Sequence, residues 1–308
     1  MLAAWPEIEL ILAARGLAAL NALSRSLLAR GARAQIRVAE FDRAQPDRLA
    51  AIAPWLVVDA AGPFQDSGYD LALAAVRQGA HYVDLADGRS YVAGFPRALE
   101  GAAAAAGVLA ATGASSTPAL SQAALAPLVD GWRRLDTVVV AIAPGARAPR
   151  GLAVIRAILS YVGRPVRVFR QGGWELAAGW SGLCRLDMPG LGRRWASICE
   201  TPDLDLLPQR FPIARSALFL AGLELAPMHL GLTLLSLLVR GRIVTSLAPL
   251  ARLLRFVAGV LTVFGSDRGG MIVEAWGVDA QGRAIRARWA LWAEAGAGRT
   301  RRRRRPPP

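Results

Sequence analysis

Five short apolar runs, Ile8 to Ala14, Gln35 to Ala39, Leu56 to Ala60, His81 to Ala86 and Val108 to Ala111, alternate with stretches of helical spacing through the first third of the chain. Each run is continuous. Strands covered on both faces need that pattern, whereas a strand with one wet face alternates apolar and polar residues. Between the runs, Leu17 to Ala29 repeats leucine and alanine at helical spacing. Tyr69 to Gln78 follows Ser67 with Asp70 three residues later, the spacing of a capping box, and closes at Gly79; Phe95 to Ala106 ends at Gly107. Strand and helix in this alternation predict parallel pairing with right-handed crossovers, a doubly wound α/β sheet.

Ligands of such sheets gather at the carboxyl ends of strands, beside the point where strand order reverses. The run ending at Asp59 passes into Ala60, Ala61, Gly62, Pro63 and Phe64, and small residues there let backbone approach a ligand closely. A tight turn that needs glycine is the competing reading. Arg15 ends the first run where dinucleotide folds read the adenosine ribose: an acid there accepts the hydroxyls of NAD, and an arginine suits the extra phosphate of NADP. All 37 basic residues of this chain are arginine, so a plain surface arginine stands beside that reading. Asp42 either contacts adenine or caps the next turn.

Hydride chemistry asks of the protein little more than orientation and one proton donor or acceptor. Tyr82 and Asp84 are the catalytic candidates, with Asp87 close behind. Ser115, in "GASSTP", either holds a phosphate or carboxylate or caps the helix that starts near Pro118. His81 opens its strand at the amino end, away from the expected ligand side, and His229 reads as a packed or paired core histidine. No metal site is expected from two histidines and the two widely spaced cysteines, Cys184 and Cys199. Serine-hydrolase and kinase motifs have no counterpart.

The stretches "VVDAAGPFQDSGYDLALAAVRQGAHYVDLADG" and "GVLAATGASSTPALS" resemble the saccharopine dehydrogenase-like oxidoreductases, bacterial members of uncharacterised substrate. Asp59, Gly62, Pro63, Phe64, the segment Gly79 to Asp84, Gly113 to Ser116 and Pro118 carry the likeness, which extends through Pro144 to Val168, Pro202 to Pro208 and Phe264 to Gly277. The resemblance implies a Rossmann-like domain that binds NADP, or NAD, followed by an α+β domain covering a small-molecule substrate. The expected domains are residues 1–130, residues 131–298 and a disordered Arg/Pro tail over 299–308. The glycine-rich turn that opens a dinucleotide fold has no counterpart, and "MLAAW" resembles the last turn of the helix after it. The first strand and turn are therefore expected upstream of Met1, and the tail is read as a shifted frame. If the start is genuine, the alternative is an inactive family member that associates with a membrane or a partner.

In the second half, Leu135 to Pro144 and Pro165 to Trp180 read as strands with a turn at Gln171 to Gly173, and Met271 to Ala295 as a hairpin turning at Asp279 to Gly282. These suit an antiparallel sheet with one wet face. Ser216 to Gly265 is apolar and reads as two or three helices. Its stretch Phe219 to Val239 has the length of a membrane span, but Glu224, Pro227 and His229 interrupt it. Core packing, a homodimer contact and an interfacial helix on lipid stay open for it. The net charge of +14 falls to +8 without Arg299 and Arg301 to Arg305, and no aromatic stacking accompanies that run, so no nucleic-acid partner is expected. The N-terminus lacks a basic segment before its short apolar run, which points to the cytoplasm.

Overall fold

The protein is described here by a computed structural model covering every residue except Met1, Asp66, Pro149, Arg150, Ala295, Gly296 and Pro306 to Pro308; for Leu2, Ala153 and residues 297–305 only the backbone is described. The chain separates into two compact units. The first comprises Met1–Ala61, Ser67–Leu85 and Gly94–Thr112, and the second Gly62–Asp66, Ala86–Ala93 and Gly113–Pro308.

In the first unit the elements run β1 (Glu9–Ala14), α1 (Leu17–Ala29), β2 (Gln35–Glu40), β3 (Leu56–Asp59), α2 (Asp70–Arg77), β4 (His81–Asp84), α3 (Arg89–Ala106, whose first turn belongs to the second unit) and β5 (Ala110–Ala111). Every strand pairing is parallel, as continuous apolar runs demand. The strands form two sheets, β1-β2 and β3-β4-β5. In a six-stranded doubly wound sheet of order 3-2-1-4-5-6, β1 and β2 match strands 2 and 3, and β3, β4 and β5 match strands 4, 5 and 6. Among the described residues β1 and β3 each have a strand partner on one side only.

Gly79 and Gly107 follow α2 and α3 at φ of +77° and +65°, the left-handed conformation that ends a helix and that a residue with a Cβ resists. Two expectations are corrected. No side-chain cap opens α2: Ser67 instead receives a hydrogen bond from Arg43 (2.9 Å). And α3 begins at Arg89, six residues before Phe95, running through Pro96, whose ring lacks the N–H that would bond the carbonyl of Val92.

The second unit continues with α4 (Ser121–Val129), β6 (Arg134–Ala143), α5 (Leu152–Tyr161), β7 (Pro165–Arg170), β8 (Gly173–Ala178), β9 (Cys184–Met188), β10 (Gly192–Ile198), α6 (Asp203–Arg210), β11 (Ile213–Gly222), α7 (Ala226–Arg240), α8 (Ala251–Leu261), β12 (Gly269–Val278), β13 (Ala284–Glu294) and β14 (Ala297–Arg305). Its nine strands make one mixed sheet, with β14-β13-β12-β6-β11-β10-β9 in order and β7 and β8 branching from β11. The sheet is not wholly antiparallel, because β6 and β11 run parallel. Val138, Val140, Phe219 and Val273 at its centre are completely buried, each contributing about 1.5–3 kcal/mol by leaving water.

Turn chemistry fixes both hairpins. Gln171 and Gly172 take positive φ of 55° and 80° in the two-residue turn between β7 and β8, which matches the twist of the strands. In the β12–β13 hairpin, Asp279 accepts the backbone N–H groups of Gln281 and Arg283 (both 2.9 Å). The β13 face bearing Arg286 and Arg288 is not simply wet: both guanidinium groups close on Glu274, which is buried on β12.

The apolar stretch Ser216 to Gly265 is also corrected. Ser216 to Gly222 belongs to β11, so the span-length run Phe219 to Val239 is a strand, a turn and then α7. A continuous apolar run looks alike in a buried strand and a buried helix. No helix of the described residues is long and apolar enough to cross a membrane. Ala297 to Arg305 pair as β14 along β13; Pro306 to Pro308 lie outside the described residues.

Candidate functional site

The carboxyl ends of the first unit's strands carry the candidate residues. Arg15 stands exposed immediately after β1. Asp42, two residues after β2, accepts the N–H of Ala44 (2.9 Å), so one of its oxygens caps that turn. Asp59 closes β3 with only 4 % of its surface exposed. Its carboxylate accepts the N–H of Ala61 (3.0 Å), the hydroxyl of Tyr82 (3.2 Å) and the Nε–H of Arg43 (2.9 Å). The turn past the strand is thereby held from three directions, leaving Ala60 and Ala61 exposed with nothing bulky on them.

Arg43 was not singled out by the sequence. Besides the ion pair, its Nη1 donates to the carbonyl of Ala61 (3.3 Å) and to Ser67, so it joins the loop after β2 to the end of β3. The one signal available was its place directly after Asp42 at a strand end, and that is faint among so many arginines.

Tyr82 lies inside β4, buried, with its ring stacked on Phe95 at 5.9 Å between centroids. The structure therefore brings Asp59 and Tyr82 together. Asp84 ends β4, fully buried, and accepts the hydroxyl of Thr112 (2.8 Å). Burial, reinforced by the negative charge of Asp84, raises the Tyr69 hydroxyl above its ordinary pKa. His81 lies at the amino end of β4, where its Nδ1 accepts the N–H of Leu109 (3.0 Å).

The remaining candidates belong to the second unit. Gly62 and Pro63 are joined by a cis peptide bond, and Phe64 is buried against Tyr91 at 5.3 Å between ring centroids. Gln65 donates to Asp87 (3.2 Å), and Gly88 packs so closely on the backbone of Phe64 and Gln65 that a Cβ there would come within 3.1 Å. Ser115 does not cap a helix with its side chain: its hydroxyl donates to the carbonyl of Thr117 (2.7 Å), beside the cis bond to Pro118. Arg89 clamps Asp205 with two nitrogens, Arg167 adds a third contact at 2.8 Å, and these cations hold the Asp205 carboxyl below its usual range against the opposing effect of burial. Among the described residues no cluster of side chains could hold a metal ion.

Two titratable groups of the second unit are buried, and burial disfavours the charged form of each. Asp203 sits fully buried on α6, and burial pushes its carboxyl up to about 7. Its Oδ1 lies 2.8 Å from the hydroxyl of Ser121, which is also 2.7 Å from the carbonyl of Pro118. A hydroxyl has one hydrogen. When Ser121 donates it to Pro118, the contact with Asp203 requires a proton on the carboxyl. His229, also fully buried, has Nε2 3.0 Å from the Ser197 hydroxyl and, among the described residues, no partner at Nδ1, and burial lowers its pKa to about 4.

Parallel strands with helical crossovers define the first unit as a Rossmann-like fold, followed here by a mixed-sheet unit. The whole chain is similar in fold to apo saccharopine dehydrogenase (L-Glu forming) from Saccharomyces cerevisiae, with a TM-score of 0.61 and 14% identity over 95% of this chain and 81% of that one. A probable dehydrogenase from Thermotoga maritima aligns over 96% of this chain and 74% of its own at 10% identity, with a TM-score of 0.43. No protein-family model matches the sequence, and no curated protein matches it significantly.

Proposed function

We propose that the protein is a saccharopine dehydrogenase-like oxidoreductase that uses a nicotinamide cofactor, NADP in preference to NAD, on a small-molecule substrate. The observation that carries the reading is an exposed arginine, Arg15, directly after the first strand of a parallel sheet in this fold. The residues present fit the adenosine half of the cofactor. Arg15 suits the 2′-phosphate, Asp42 stands at the next strand end, and Asp59 holds open a turn of small residues from Ala60 to Gly62. A bound nicotinamide supplies the hydride chemistry. Tyr82 and Asp84 then act as positioning groups, one fixing Asp59 and the other accepting Thr112 behind the strand ends.

Titration with NADPH and NADH tests it, followed by calorimetry and by the fluorescence of Trp5 and Trp55, both exposed on the first unit. Arg15→Gln is expected to weaken NADPH about ten- to hundredfold, the loss of one charge-assisted contact, and to leave NADH nearly unchanged. Equal weakening of both nucleotides removes the phosphate-reading role of Arg15. No heat and no fluorescence change with either nucleotide overturns the oxidoreductase reading.

A further inference from the structure

Helix α8 divides into three sectors. Ala251 is buried, and Leu254 packs against the core. A second apolar row, Leu253, Phe256, Val257, Val260, Val263 and Phe264, follows helical spacing through α8 and its continuing turn but faces outward, with exposures from 42% to 78%. On the sector between them stand Arg252 and Arg255, both exposed. A helix with one inward and one outward apolar row spends its second row in water unless something covers it, and a patch of this kind marks an interaction surface.

The charge around the row selects what covers it. From Ala226 to Ser266 the chain has no aspartate or glutamate, yet it has Arg240, Arg242, Arg252 and Arg255. α5, the helix packed on α8, also lacks acids and exposes Arg156. A second copy of the chain is a poor match, because an isologous contact sets each such face against itself, arginine against arginine, with no acid to oppose them. An anionic lipid surface matches both features: acyl chains take the aromatic and aliphatic row, and phosphates take the flanking guanidinium groups.

We propose that the outward row of α8, with Arg252 and Arg255 beside it, docks the protein onto an anionic membrane surface as an interfacial helix lying in the headgroup plane. This goes beyond the oxidoreductase reading and does not depend on it.

Sedimentation of the full chain with vesicles tests the docking. Binding is expected to vesicles of phosphatidylcholine containing about 30 mol% phosphatidylglycerol and to weaken sharply with phosphatidylcholine alone or at high salt. Arg252→Gln with Arg255→Gln is expected to weaken partitioning about thirtyfold, roughly fivefold per charge. Phe256→Ser with Phe264→Ser is expected to weaken it by at least about tenfold, while Phe256→Leu with Phe264→Leu keeps most of it. Circular dichroism checks that each variant is folded. Because the terminal arginines also attract anionic lipid, the same series is run with Arg299 and Arg301 to Arg305 changed to glutamine, and the loss from the phenylalanine changes is expected to persist. Four results overturn the proposal: no binding to either vesicle, equal binding to both, binding abolished by the terminal changes alone, or a dimer in sedimentation velocity that the phenylalanine changes dissociate.

Discussion

Arg43→Ala lowers the unfolding free energy by about 3–5 kcal/mol, the cost of leaving a buried charge without its partner. Asp59 is the charge in question, almost wholly withdrawn from water, and Arg43 is its cation. Tyr82 and Ala61 still donate to the carboxylate in the variant, but neutral donors do not replace a guanidinium. A second change separates this cause from lost packing. Adding Asp59→Asn to Arg43→Ala removes the charge and keeps one oxygen to accept from Ala61, while the amide NH2 in place of Oδ2 donates to the Tyr82 hydroxyl, which can turn to accept it, so most of the stability is expected to return. Urea unfolding of the two variants and the parent decides it. A loss below about 1 kcal/mol in Arg43→Ala shows that the pair behaves as an ordinary surface ion pair. Because the same side chain holds Ala61 and Ser67, cofactor affinity is expected to fall with stability in the single variant.

The second large effect is one of pH. Asp203 has a folded pKa of about 7, above its unfolded value, so its contribution is fully present below about pH 3.9 and disappears as pH rises through about 7. His229 has a folded pKa of about 4, below its unfolded value, so its contribution is present above about pH 6.5 and disappears as pH falls toward about 4. Between about pH 4 and 6.5 the two slopes oppose each other, each near 1.4 kcal/mol per pH unit. Difference curves against the parent expose them. Asp203→Asn is expected to gain about 3 kcal/mol relative to the parent as pH rises across that window, and His229→Gln to lose a similar amount. Flat difference curves for both show that the two groups titrate in the folded protein as they do in the unfolded chain.

Much of the first unit was legible because its signals are local. Continuous runs marked β1 to β4 to within one or two residues, and Gly79 and Gly107 marked two helix ends that only a left-handed residue makes cheaply. The start of α3 was less legible: the helix begins at Arg89, and Pro96, a residue that favours a helix's first turn, sits in its second turn, where the helix accepts the lost hydrogen bond. In the second unit, Phe219 to Gly222 carry no periodicity that separates strand from helix, and only the pairing of β11 with β6 decides the matter. The positions of Asp59 and Arg15 at strand ends were legible, because a single strand end suffices to place each. The candidate site was not legible where the chemistry joins distant segments. Arg43 to Asp59, Thr112 to Asp84 and Ser121 to Asp203 are made by side chains whose sequence neighbourhoods say nothing of one another.

The divided parallel sheet has a consequence for how the protein behaves in a tube. Among the described residues β1 and β3 each lack a strand partner on one side, and Leu56 and Val58 of β3, with Trp55 just before them, are exposed. Neither a lysine nor a proline within those strands discourages a newcomer. Wherever those edges stay open, copies of the protein at high concentration are expected to find one another rung by rung long before they lose their fold.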